Sequence, residues 1–206
     1  MTRTSATSKQ KLGKMKKALL LIGYQNDYFA ESGVLSGVIE ESARESDVLG
    51  NTLKMMKLAQ DNQSILISTP IKFSDDYREL DNPVGILKIC KDLGAFKQSS
   101  EGSNSIKEFQ DWDGEIIELP GKTGLNAFSN TTLKDLLDEN YIEEILIAGV
   151  VTSVCIDSTA RAAADLGYRV TILSDCTAGR NNFEQDFYCN EIFPIFATVK
   201  SSEEIF

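Results

Sequence analysis

The sequence predicts one α/β domain of three layers, α/β/α, with a central, mostly parallel sheet of about six strands. Two observations support this prediction. Six short apolar segments recur along the 206 residues, and stretches with helical spacing lie between them. Strands that are apolar throughout are typical of a parallel sheet that is covered by helices on both faces. A chain of this length has enough residues to bury a sizeable core.

The six predicted strands are short runs rich in Leu, Ile and Val. They are residues 17–23, 64–69, 114–119, 144–150, 168–173 and 195–199. Apolar residues at helical spacing over 43–62 predict a helix between the first and second strands. Asn130 is the predicted N-cap of a helix that runs to residue 141. An alanine-rich helix is predicted over 157–167, with Gly167 as its C-cap.

Composition limits the classes of partner. The net charge is −10, and no apolar run approaches the roughly 20 residues of a membrane span. An acidic protein repels nucleic acid and anionic membranes, so we expect a small-molecule substrate, no nucleic acid and no membrane. Six cations and no acid stand in the first 17 residues. We expect residues 1–16 to form a basic flexible tail, with a transit peptide as the alternative, and residues 17–206 to form the domain.

The cysteines predict a reduced, cytoplasmic protein without a metal or other cofactor. Four cysteines occur at spacings that match no zinc or disulfide framework, and the chain has no histidine. Cys155 differs from the others because it follows an apolar strand at the start of a predicted helix. A helix N-terminus stabilises a thiolate, and the backbone amides of such a turn can form an oxyanion hole. The alternative is a small side chain that packs between strand and helix.

Ligands of parallel sheets bind at the carboxyl ends of the strands, so the residues there are the candidate site. Lys122 follows the third strand in "LPGKTGLNAF", which is not a phosphate-binding loop because Ile116 stands where that motif needs glycine. Lys122 is therefore a surface charge or a cation near the thiol. Asp27, after the first strand, either fixes a turn or acts as a base. The polar segment 70–113 predicts an irregular functional loop region.

Four segments, in order, resemble motifs of the isochorismatase-like cysteine hydrolases, which include nicotinamidases and other small amide hydrolases. They are "LLLIGYQNDYF", "ELPGKTGLNAF", "GVVTSVCIDSTARAAADLGYRV" and "LSDCTAG". The resemblance covers residues 17–199 and implies an isochorismatase-like, Rossmann-like fold, an Asp-Lys-Cys triad and a homodimer or homotetramer. It implies that Cys155 is the nucleophile, that Lys122 is the triad lysine, and that the amides of Val151 and Cys155 form the oxyanion hole. A nonproline cis peptide is implied between Val150 and Val151.

The match departs from the family at one position. Gly23 stands where the family has its catalytic Asp. Three explanations remain open: an impaired variant, a base supplied by another carboxylate, or a slower reaction for which Lys122 and the helix dipole suffice. The candidate carboxylates are Asp27, Asp75, Asp76 and Glu79. We expect residue 23 to accept an aspartate without a change of fold.

These features predict hydrolysis of a small amide through a thioester on Cys155. The alternatives are a pyruvate-releasing isochorismate hydrolase, which Gly23 disfavours, and a binding-only member of the family. We expect the substrate to contact Tyr28, Phe128 and Thr152. The family's nicotinamidase metal site is built largely from histidines, so the resemblance does not imply that site here. Three cations of one loop, Lys72, Arg78 and Lys88, either face an anionic substrate or remain solvated.

Overall fold

The computed structural model describes residues 15–206, so the predicted basic tail lies outside the described residues except for its last two positions. All six predicted strands form. They are β1 (Lys17–Ile22), β2 (Ile65–Ser68), β3 (Ile117–Glu118), β4 (Glu144–Val150), β5 (Arg169–Ala178) and β6 (Thr198–Lys200). The α-helices are α1 (Asn26–Phe29), α2 (Ser36–Glu45), α3 (Val48–Asp61), α4 (Gly85–Leu93), α5 (Lys107–Gln110), α6 (Leu133–Glu139), α7 (Asp157–Asp165) and α8 (Asn182–Phe187).

The six strands form one sheet in the order β3-β2-β1-β4-β5-β6, and every pairing is parallel. The predicted fold class is therefore confirmed. Chain order runs outward from β1 in one direction to β3, and from β4 in the other direction to β6. This reversal between β1 and β4 opens a crevice at their carboxyl ends, where α/β sheets of this kind bind ligands.

Alternation along β1 divides the core between the two faces of the sheet. Leu20 and Ile22 pack in the cluster that includes apolar residues of α6 and α7. Leu19 and Leu21 point to the opposite face, where they pack in the cluster that includes Met55 and other residues of α3. Both faces of the sheet are thus covered by helices, which gives the three layers.

Two helix predictions need correction. The helix predicted over 43–62 forms as two helices, because Asp47 between α2 and α3 has a left-handed φ of 47°. Asn130 is not an N-cap. Helix α6 begins at Leu133, and Asn130 has a φ of 62°, whereas an N-cap residue usually has an extended backbone. Gly167, with a φ of 90°, directly follows the C-cap of α7, as a terminating glycine should.

The segment 70–113 is more ordered than we expected. It contains α4, α5 and a short 3₁₀ helix over Glu101–Ser103, so it is a loop region only in part. Its apolar residues Phe73 and Phe96 are fully buried in a third core cluster, which closes the carboxyl end of the sheet near β4. Across residues 15–206, no helix has the length and apolar character needed to cross a membrane.

Because the side chains of β1 are buried, truncating one of them should greatly lower the free energy of unfolding. Leu20 is 0% exposed, so Leu20→Ala should lower the free energy of unfolding by about 2–5 kcal/mol. The matched control is Leu93→Ala on α4, where Leu93 is 51% exposed and the change should be about 0.5 kcal/mol or less. Urea denaturation of both variants measures the difference. Equal losses would contradict the assignment of β1 to the core.

Candidate active site

A small, mainly apolar cavity lies at the carboxyl ends of β1 and β4. Its wall includes Gly23, Tyr28, Cys90, Lys122 and Cys155, and its volume is about 10 Å³, room for about one water molecule. Lys122 and Cys155 are buried, at 2% and 7% exposure. The Nζ atom of Lys122 donates a hydrogen bond to the Sγ atom of Cys155 at 3.7 Å. The two residues that the sequence singled out are therefore brought together.

The turn that carries Cys155 starts directly after β4. The Val150–Val151 peptide is cis, as the motif resemblance implied. A π-helical segment, Thr152–Ile156, then leads into α7. Within the described residues, the carbonyl of Val151 accepts the N–H groups of Val154 at 3.0 Å and Ile156 at 3.2 Å, but not that of Cys155 between them. A backbone N–H group in a turn of this kind can donate to an oxyanion.

Lys122 reaches the thiol because of the backbone of the preceding residue. Gly121 has a φ of 102°, and a Cβ there would lie 2.2 Å from the carbonyl oxygen of Asn130, so only glycine fits. The loop after β3 is also held by Lys72, whose N–H donates to the carbonyl of Lys122 at 3.2 Å.

Gly23 forms part of the cavity wall with an unusual backbone. Its φ is 78°, and a Cβ at this position would lie 2.9 Å from both the Cγ2 atom and the carbonyl oxygen of Val150. An aspartate at residue 23 therefore carries local backbone strain, and its acceptance without a change of fold stays a prediction. A side chain at residue 23 requires a change in φ or a shift of Val150, which precedes the cis peptide.

The four alternative carboxylates lie elsewhere. Asp27 is buried, but its Oδ2 atom accepts the N–H of Phe96 at 2.6 Å. Asp75 accepts the N–H and hydroxyl of Ser99, and these hydrogen bonds lower the pKa of Asp75. Asp76 and Glu79 are exposed and bind partners in their own loop, Arg78 and Ser74. Within the described residues, no carboxylate lines the cavity with Cys155.

The structure brings only one of the three expected substrate contacts to the cavity. Tyr28 lines it, and burial raises the pKa of its phenol well above the usual value, so the hydroxyl stays protonated. Phe128 instead stacks on Tyr168, with ring centroids 6.3 Å apart. Thr152 is fully buried, and its hydroxyl donates to the Oε1 atom of Gln185. Sequence reasoning missed Gln185, although it follows Glu184 in a helix start with Asn181 as N-cap.

The other cysteines are poor nucleophiles. Burial raises the pKa of Cys90 and that of Cys189 to about 12 each. Burial also raises the pKa of Cys176 well above its usual value. These thiols stay protonated near neutral pH, although Cys90 shares the cavity wall with Cys155.

The three cations that the sequence singled out in the 70–113 segment each contact an acid on the surface. Lys72 pairs with Glu118 at 2.9 Å, and Lys88 pairs with Asp92 one helical turn away. Arg78 contacts Asp76 at 3.9 Å. These are solvated charges of ordinary kind, and they are not part of the cavity wall. No group of three or more His, Cys, Asp or Glu side chains that could hold a metal ion occurs among residues 15–206.

The chain is similar to one protein family and to named hydrolases. The isochorismatase domain family matches residues 17–204. Nicotinamidase 3 of Arabidopsis thaliana is 26% identical over 180 residues, which is 87% of this chain and 82% of that protein. Ureidoacrylate amidohydrolase of Cronobacter sakazakii is 24% identical over 173 residues, which is 79% of this chain and 74% of that protein.

A solved structure shares the fold. The cysteine hydrolase from Pseudomonas syringae pv. phaseolicola 1448A superimposes with a TM-score of 0.80 at 18% identity, over 98% of this chain and 96% of that one. The family match extends over nearly the whole chain and includes all six strands of the sheet. The chain therefore belongs to the isochorismatase-like cysteine hydrolase family and is a hydrolase of that family.

Proposed function

We propose that this protein hydrolyses a small amide through a thioester on Cys155. The observation that carries the proposal is the buried contact of 3.7 Å between Lys122 Nζ and Cys155 Sγ. Support also comes from relatives that are named as a nicotinamidase and an amidohydrolase. A buried thiolate and ammonium at the carboxyl end of a parallel sheet is the arrangement that nucleophilic attack on a carbonyl requires.

In the acylation step, the Sγ anion of Cys155 attacks the carbonyl carbon of the amide and forms a C–S bond. The N–H groups of Val151 and Cys155 donate to the oxyanion. The C–N bond then breaks, and the leaving nitrogen takes a proton from the ammonium of Lys122, its nearest charged donor. The amine leaves, and a neutral Lys122 remains beside the thioester.

In the deacylation step, a water molecule attacks the thioester carbonyl and gives one proton to the neutral Nζ atom of Lys122. The C–S bond breaks, and the thiolate and ammonium are restored. The product acid loses its remaining proton to solvent. Lys122 thus performs the proton transfers that a carboxylate at residue 23 performs in relatives with the same motif, which is why we expect slow turnover.

The cavity wall indicates the class of amide. Ile71, Ile86, Leu87 and Leu125 present hydrocarbon, and Lys122 is the one cation in the wall within the described chain. A small amide with an apolar substituent fits this composition. Isochorismate is disfavoured, since its hydrolysis depends on an acid that Gly23 does not supply. The cavity admits about one water molecule, so entry of the amide requires an outward shift of the wall formed by α4.

A substrate screen tests the proposal directly. Small amides with apolar substituents are assayed by ammonia or amine release, and isochorismate is assayed by pyruvate release. Amide turnover that depends on Cys155 supports the proposal. Pyruvate release alone would replace it with isochorismate hydrolysis. Tight binding of an amide without turnover would support a binding-only protein.

Replacing the nucleophile should abolish amide hydrolysis and leave the fold intact. Cys155→Ala removes the attacking atom, and Cys155→Ser substitutes a hydroxyl that is far harder to ionise, so both variants should be nearly inactive. Amine release is the measurement, and circular dichroism checks the fold. Cys176→Ala is the control, because that thiol is fully buried away from the cavity. Turnover in Cys155→Ala would exclude Cys155 as the nucleophile.

Removing the cation should lower the reactivity of the thiol. Lys122→Met keeps most of the length of the side chain without its charge, so alkylation of Cys155 at pH 7 should slow about tenfold or more. Lys122→Arg keeps the charge and should lose less. The rate of alkylation by iodoacetamide, assigned to each cysteine by peptide mass spectrometry, is the measurement. An unchanged pH profile in Lys122→Met would make the lysine a bystander.

The effect of a carboxylate at residue 23 on turnover is measured by comparing Gly23→Asp with Gly23→Ala, because both variants carry the same backbone strain. Gly23→Ala and Gly23→Asp both place a Cβ against Val150, and each should lose about 1–2 kcal/mol of stability. Gly23→Asp should nevertheless turn over the best amide faster than Gly23→Ala, by up to about 10²–10⁴-fold, because it adds a base.

Kinetics and urea denaturation of the two Gly23 variants provide the measurements. Equal turnover in both would show that a carboxylate at residue 23 does not reach the reacting atoms. Full stability in both would show that the backbone at residue 23 relaxes without cost.

A further inference from the structure

Helix α8 packs against the turn that carries Cys155 and places two adjacent polar side chains there. Glu184 and Gln185 are 6% and 7% exposed, which is unusual for these residue types. Neither side chain lines the cavity. Gln185 contacts the turn at Thr152, which points to a role in holding the turn.

Gln185 binds the turn at Thr152. The hydroxyl of Thr152 donates to the Oε1 atom of Gln185 at 2.5 Å. The Nε2 atom of Gln185 is close to three acceptors, the carbonyl of Ser174 and the hydroxyl of Thr177 at 3.0 Å and the Sγ atom of Cys189 at 3.3 Å. Because Nε2 is held on β5, the orientation of the amide is fixed, and Oε1 is aimed at Thr152.

Glu184 is the neighbour of Gln185 on α8. Its carboxylate accepts hydrogen bonds from both the backbone N–H and the guanidinium of Arg180, and the Ser153 side chain also favours its charged form. Burial raises the pKa of Glu184, but these hydrogen bonds outweigh burial and hold the pKa below its usual value. Glu184 therefore remains an acceptor at neutral pH.

Thr152 lies in the chain between Val151 and Cys155, whose amides form the oxyanion hole of the proposed reaction. A shift of about 1 Å in a catalytic group can cost about 10²-fold in rate. We propose that Gln185 is a positioning residue that holds the turn 151–155 in the geometry in which it binds the oxyanion. This inference rests on the proposed nucleophilic role of Cys155, and it assigns the function of α8 in the same reaction.

The test separates oxyanion binding from reactivity of the thiol. p-Nitrophenyl acetate acylates a cysteine through an oxyanion, and iodoacetamide alkylates it without one. Gln185→Met and Thr152→Val should each lower the acylation rate of Cys155 about 10²-fold, while alkylation changes less than about twofold. Thr152→Ser keeps the hydroxyl and should restore acylation. The double variant, with Gln185→Met and Thr152→Val together, should be acylated only slightly more slowly than either single variant, because both substitutions remove the same hydrogen bond.

The outcomes are distinct. Acylation at the natural rate in Thr152→Val, with Cys155 still the acylated residue, would overturn the positioning role and leave the proposed function standing. Equal losses of acylation and alkylation would also overturn it, since they indicate a general disturbance of the site. No acylation of Cys155 in the natural chain would overturn both proposals. If Gln185→Met does not fold, the Thr152→Val and Thr152→Ser pair still decides the question.

Discussion

The contact between Lys122 and Cys155 sets the conditions under which the rest of the site works. Removing an ammonium from water costs several kcal/mol unless an anion compensates for it. Among the described residues, the side chain of Lys122 has one hydrogen-bond partner, the Sγ atom of Cys155. The sulfur of Cys155 is therefore the polar group that compensates for the burial of Lys122. The stability of the buried lysine and the reactivity of the cysteine depend on the same interaction.

The order of the strands explains why this contact needs a special loop. Strand β3 stands three positions from β4, and neighbouring strands are about 4.8 Å apart, so the two carboxyl ends are separated by about 14 Å. A lysine side chain alone does not span that distance. The chain after β3 therefore returns across the sheet, where the N–H of Lys72 holds the carbonyl of Lys122 and the left-handed Gly121 turns the lysine inward.

The sequence carried local information about this site but little about its supports. The apolar runs predicted all six strands, and the position of Cys155 after a strand predicted the turn, because both depend on nearby residues. The close approach of Val150 to Gly23 joins residues that are distant in sequence. The stacking of Phe128 on Tyr168 and the hydrogen bond of Gln185 to Thr152 also depend on packing between separate elements. Such contacts leave no periodic pattern in one sequence.

The turn after β4 is held from both sides, and this explains why the glycine at residue 23 is more than a missing carboxylate. On one side, Gly23 leaves space that Val150 occupies. On the other side, α8 binds the hydroxyl of Thr152. Between them lies the cis peptide that joins Val150 to Val151. A side chain at residue 23 requires a shift of Val150 or a change in the backbone of residue 23. The end of β1 and the turn after β4 are thus coupled through one packing contact.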